Sequence, residues 1–263
     1  MINFFRKIRK KLADDNKPLK YMRYAIGEIV LVVIGILIAL QINAWNTDRL
    51  NRIKEQEHLS QLTRELKAQL LYYQDLKEQF AVVEKRVSRV VNIWASKKPI
   101  IKDSMQYLGD IRASGATGYW HKEPVVWLQL LETGKIDLIR NKEITDGLYT
   151  FYDRIEKQAE NFNSYVQKLI FIARGHINKI HVDIPINELM DNWEKAATLG
   201  LKNQNTYPDT IYEEIWDMRM DMIIDFRTIA TSCRIQQMWL KPTIKTGEEL
   251  LVKLEAAQGI TTE

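Results

Sequence analysis

Carboxylates, imidazoles and one thiol are the groups in this chain able to do chemistry. Their spacing decides whether they act together. Glu55-Gln-Glu-His58 pairs an acid with a histidine at i, i+3, the spacing used in carboxylate-bridged metal centres of helical bundles. Such a centre needs two of these pairs plus further inward Glu residues. The chain has this one, so it reads as a solvated helix face. His176 and His181 are five apart, about 140° around a helix, and do not share a ligand face. His176 falls in an apolar stripe and reads as a core histidine. Glu213, Asp217, Asp221 and Asp225 recur every four residues as an acidic ridge suited to a cation or a basic partner. Arg219, Arg227 and Lys241 on the same segment make a salt-bridged surface the plainer reading. Cys233 stands alone, which excludes an intrachain disulfide and a cysteine-cage zinc site. As a nucleophile it would need an activating neighbour. Gly-rich phosphate loops, Walker motifs and nucleophile elbows are absent from the sequence. These features predict no enzyme, no cofactor and no metal site.

The elements around these groups begin with a membrane segment. Tyr24 to Asn43 is twenty residues long with one charge, Glu28. As a helix it spans about 30 Å, the thickness of a bilayer's hydrocarbon core. Tyr21 and Tyr24 flank one end and Trp45 the other, at the depth of aromatic belts. Residues 1–24 hold eight Lys or Arg against Asp14 and Asp15, so they carry +6 of formal charge and the rest −2, for a net +4. That distribution argues against a nucleic-acid-binding domain. It places the N-terminus on the cytoplasmic side by the positive-inside rule. A cleaved signal peptide is the competing reading, but the apolar run is long, and Gln41 and Asn43 suit a cleavage region poorly.

Glu28, Gly35 and Ala39 lie near one face of the segment, with Gly35 and Ala39 as a small-xxx-small pair. They are candidates for a membrane helix contact with Glu28 as a hydrogen-bonding or proton-linked group. The alternative is that Glu28, about 6 Å inside the cytoplasmic edge, reaches headgroup water. In the tail, Phe5, Ile8 and Leu12 share a helical face. Arg6, Lys7, Arg9, Lys10 and Lys11 are candidate contacts to anionic lipid, as an interfacial helix or as topology-setting charge.

The opening INFFRKIRKKL, the run YAIGEIVLVVIGILIALQINAWN and the later LLETGKIDLIRNKEI (130–144) resemble a family of bacterial membrane-anchored proteins common in Bacteroidota, domain of unknown function 6090. The resemblance covers the first fifty residues closely and the rest loosely. It implies a bacterial inner-membrane protein and carries no activity with it.

Beyond the anchor the hydrophobic period is helical. Leu59, Leu62, Leu66, Gln69, Tyr73, Leu76, Phe80, Val83, Val87, Val90 and Trp94 follow a 3,4 spacing without a break. This predicts one helix over 47–96, extending about 73 Å. The seam suits a coiled coil between subunits or an intramolecular bundle. The bundle is favoured because two more stripes can fill it: Leu148, Phe151, Ile155, Phe162, Tyr165, Leu169, Ile172, His176, Ile180; and Ile211, Ile215, Met218, Met222, Ile229, Cys233, Leu240. Shorter helices are predicted over 102–113, 124–132 (Pro in its first turn, Gly134 as C-cap) and 185–199, with Asn141 capping the second stripe. Pro208 should open the third stripe and Pro242 should break it, leaving a short helix over 247–257. The irregular run 114–123 makes Tyr119, Trp120 and His121 a candidate interaction loop. The alternative is an ordinary turn whose aromatics cap the bundle.

The expected fold is all-α: one N-terminal transmembrane helix, then an extracytoplasmic bundle of three to four long helices plus short ones. The expected division is a cytoplasmic tail (1–23), an anchor (24–45) and a periplasmic domain (46–263). The expected role is a non-enzymatic interaction or scaffold module in the inner membrane. Its partners would be the lipid bilayer and either itself or another membrane protein, with no nucleic acid and no evident small-molecule substrate. The alternatives are an accessory subunit of an energised membrane complex using Glu28, and a periplasmic ligand sensor.

Overall fold

Local signals start most of the elements of the computed structural model, which describes residues 18–115, 120, 122–178 and 210–259. Residues 1–17 of the basic tail, Tyr119, His121, the 185–199 helix, Ile180, His181 and Pro208 lie outside the described residues. Helix α1 runs Pro18–Trp94 without interruption. Helix α2 (Ser104–Ala113) is capped by Asp103, whose side chain accepts from the Gln106 N–H. Helix α3 (Val125–Glu132) follows Pro124, and Gly134 leaves it at φ 66°, a left-handed conformation that favours glycine. A short 3₁₀ turn (Lys135–Leu138) leads to α4 (Lys142–Asn161), capped by Asn141. A π-helical turn (Phe162–Val166) joins α4 to α5 (Gln167–Ile177), and α6 runs Thr210–Ala257. No strand occurs among the described residues.

The chain divides into two units, residues 1–57 and 58–263, and α1 contributes to both. In the second unit all eleven positions of the α1 seam are buried by the chain itself. The seam is therefore filled within one molecule. Trp94 packs on Phe226 at one end, and Gln258 donates to the Leu59 carbonyl at the other, so α1 and α6 are antiparallel. Phe80 meets Phe162, while Leu70 and Phe151 both approach Gly247, so α4 runs parallel to α1. The intervening segment makes the return. Asp110 of α2 pairs with Arg89, and α3 comes back to the level of Glu65.

Two sequence expectations are corrected. The second stripe holds through Phe162, then shifts. Tyr165 and Ile172 are exposed, and Val166, Ile170 and Ala173 are buried instead. The π turn is the cause, because an i→i+5 turn inserts one residue and rotates everything after it by about 100°. Pro242 does not end α6. It is exposed, and its cost is one missing bond to the carbonyl four residues back. Beyond it Thr243, Ile244, Gly247, Leu250 and Leu254 continue the buried face. Burial on both sides of one weak point outweighs that loss.

Candidate interaction surfaces

The first unit holds the apolar segment. Within Ala25–Trp94 an 18-residue window reaches a mean hydropathy of 2.6, and none of that window is buried. Val30 to Ile42 presents its Val, Ile and Leu side chains outward all around the helix. A helix apolar on every face suits lipid, not a one-sided core. Gly35 and Ala39 lie on this surface, and beyond the local helix backbone and flanking residues nothing comes within 4 Å of where a Gly35 Cβ would sit. Glu28 is half-exposed and engaged with a neighbouring group.

In the second unit, the candidate loop carries Trp120, which is completely buried. Its ring centroid lies 6.0 Å from that of Tyr73. It is thereby removed from any surface contact. Polar residues of α1 hold the described residues that follow, from Lys122 to Trp127. Gln69, the one polar position of the seam, donates to the Lys122 carbonyl at 2.9 Å. Lys122 lies over the Tyr72 ring and donates to the Ala68 carbonyl. Glu65 accepts from the backbone N–H groups of Val126 (2.7 Å) and Trp127 (3.0 Å) and from the Tyr152 hydroxyl. Pro124 supplies no side-chain cap to α3. Glu65, on another helix, does the capping instead. Trp127 then stacks on Tyr152 at 5.1 Å. Burial first, then the Glu65 carboxylate, pushes the Tyr152 phenol well above its ordinary value. Burial pushes the Tyr107 phenol up to about 12 despite the 2.7 Å hydrogen bond from the Trp94 indole.

The acidic ridge on α6 does not form one ligand face. Four-residue steps drift about 40° each, so Asp225 has turned roughly 120° from Glu213. Glu213, Asp217 and Asp221 are exposed, while Asp225 faces α5 and bonds His176 at 3.0 Å. Arg219 lies 3.9 Å from the Trp216 ring. No group of three or more metal-capable side chains occurs among the described residues. The Glu55-x-x-His58 face is not solvated, as its sequence suggested. Each residue is buried, and both His58 ring nitrogens are buried without a hydrogen-bond partner. Cys233 is buried in the core, and desolvation pushes its thiol up to about 12, which suppresses the thiolate.

A surface that sequence reasoning missed lies on the outer face of α6. Met220, Ile224, Ile235 and Met238 are all exposed, with Trp239 beside them. They sit opposite the buried Met222, Phe226, Ile229 and Cys233. The signal was present as a second helical-period set on the same segment. It was masked because the core stripe already accounted for the helix.

Among the described residues, an all-α fold with one helix long and apolar enough to cross a membrane defines the class of protein. The chain belongs to a family of unknown function, DUF6090, whose profile matches residues 28–171. That match spans most of the apolar run, the α1 seam, α2 to α4 and part of α5, and stops before α6. No curated protein and no solved structure matches the chain.

Proposed function

We propose that this protein is a single-pass protein of the bacterial inner membrane. Its N-terminus is cytoplasmic, and its periplasmic helical bundle is a non-enzymatic module that binds copies of itself or another membrane protein. One observation carries the reading. The 25–42 region is apolar on all faces and unburied by its own chain, while the bundle seam is filled internally. Lipid is the solvent such a helix fits. Orientation follows from the +6 charge of residues 1–24. The interaction role rests on the outer face of α6, where exposed apolar side chains gather at Met220 and Ile224 and again at Ile235, Met238 and Trp239.

Two experiments test this. Lys241→Cys on α6, labelled with a membrane-impermeant maleimide in intact spheroplasts, reports orientation, because the native Cys233 is buried and silent. Labelling is expected without lysis. Labelling only after lysis overturns the topology. In-cell crosslinking, detergent purification and mass spectrometry then report partners. Recovery of the chain crosslinked to itself or to a membrane protein is expected. A strictly uncrosslinked monomer overturns the interaction role.

A further inference from the structure

A groove of about 200 Å³ lies between α1 and α6 in the second unit. Glu84, Ser88, Val91 and Asn92 line it from α1, and Arg227, Ala230, Thr231 and Arg234 from α6. Its two arginines are seven residues apart, nearly two turns, so both reach the same side of α6. They are not equivalent. Arg234 is paired with an acid: its Nε and Nη2 both donate to Glu84 Oε1, at 2.8 and 2.6 Å. The other Glu84 oxygen accepts from the Gln237 amide at 2.9 Å. That carboxylate is spent. The Arg227 guanidinium has no acceptor among the described residues. The reason is local: positions 223, 224, 230 and 231, where a helical partner would sit, are Ile, Ile, Ala and Thr. Across the groove, α1 offers Ser88 and Asn92, one turn apart, where an acid would have neutralised the charge. Val91 and Ala230 are the apolar lining.

We infer that this groove binds a small oxyanion, a carboxylate or a phosphate, held by Arg227 with the Asn92 amide and the Ser88 hydroxyl. A guanidinium fork matches both anions in two-point geometry. The groove keeps one positive charge after the Glu84 pair is counted, and hydroxyl and amide donors complete an anion's shell. A ligand there bridges α1 and α6 and stabilises the folded bundle. The inference is independent of whether the bundle also docks a partner protein.

The test uses the full chain in detergent, titrated separately with inorganic phosphate and with succinate, against chloride at matched ionic strength. At least one of the two is expected to give a saturable rise in melting temperature, of about 5–11 °C at a hundredfold excess over Kd. Arg227→Gln and Asn92→Ala should each abolish the rise. Both residues are exposed, so the unliganded melting temperature should be unchanged. The two probes distinguish carboxylate from phosphate chemistry. No saturable shift with either, or an equal shift in Arg227→Gln, overturns the assignment.

Discussion

Replacing Glu65 with Gln tests whether α3 is capped from another helix. The wild-type carboxylate accepts two backbone N–H groups at the start of α3 and one phenol, at 2.7, 3.0 and 3.3 Å. Gln keeps the shape but turns one acceptor oxygen into a donor. Whichever way the amide is placed, one of these donors then faces a donor. A lost cap costs about 0.5–2 kcal/mol, and a hydrogen bond to a charged group contributes about 1.5–3 kcal/mol. These contributions overlap, so the expected loss is about 2–4 kcal/mol. For a domain of this size that lowers the melting temperature by about 4–16 °C. Thermal unfolding followed by far-UV circular dichroism measures it. Hydrogen exchange should show the Val126 and Trp127 amides losing protection before the rest of the bundle. Tyr152→Phe removes only the longest bond and should cost less than about 1 kcal/mol. A Glu65→Gln protein within about 0.5 kcal/mol of wild type, with both amides still protected, would refute the capping argument.

Gly247→Ala should destabilise by about 1 kcal/mol, because its Cβ would lie 2.6 Å from Leu70 Cδ2 and 2.8 Å from Phe151 Cε2. Overpacking of about 1–3 kcal/mol then outweighs the helix-propensity gain of about 1 kcal/mol. Gly109→Ala, with nothing within 4 Å, should instead stabilise by about 0.5–1 kcal/mol, and urea unfolding of the pair separates packing from propensity. Asp110→Asn should cost about 3 kcal/mol in the same assay, because the buried Asp110 holds Arg89 through two 2.7 Å bonds. Burial raises the Tyr107 phenol from 10.0 to about 12, so its contribution to stability is complete below pH 10 and is lost as pH rises from 10 to 12. Absorbance at 295 nm should show Tyr107, Tyr73 and Tyr152 ionising above the ordinary tyrosine range, and Tyr107→Phe should flatten the alkaline loss.

Much of the fold was legible because burial is periodic. The α1 seam repeats without interruption, and each seam residue from Leu59 to Trp94 is buried. Asn141 announces one helix start, and Gly134 one helix end, through chemistry confined to a few residues. The candidate surfaces were less legible. Trp120 sits in a glycine-containing run that reads as a loop, yet Tyr73, more than forty residues earlier, receives it in the core. The outer face of α6 and the groove at Arg227 depend on which residues neighbouring helices leave uncovered.

The sequence by itself determined the all-helical class, the twenty-residue apolar segment, the charge asymmetry around it and the residues lining the main seam. Each follows from composition or from a period of 3.6, and both act along a single chain segment. Tertiary structure alone decided the π turn that swaps Tyr165 for Val166 in the core, and the passage of α6 through Pro242. It also decided the capping of α3 by Glu65. In each case a local preference was overruled by contacts with residues far away in sequence. A helix of the bundle is stabilised chiefly by the apolar face it buries against its neighbours, and that sum exceeds the cost of one irregular turn or one missing hydrogen bond.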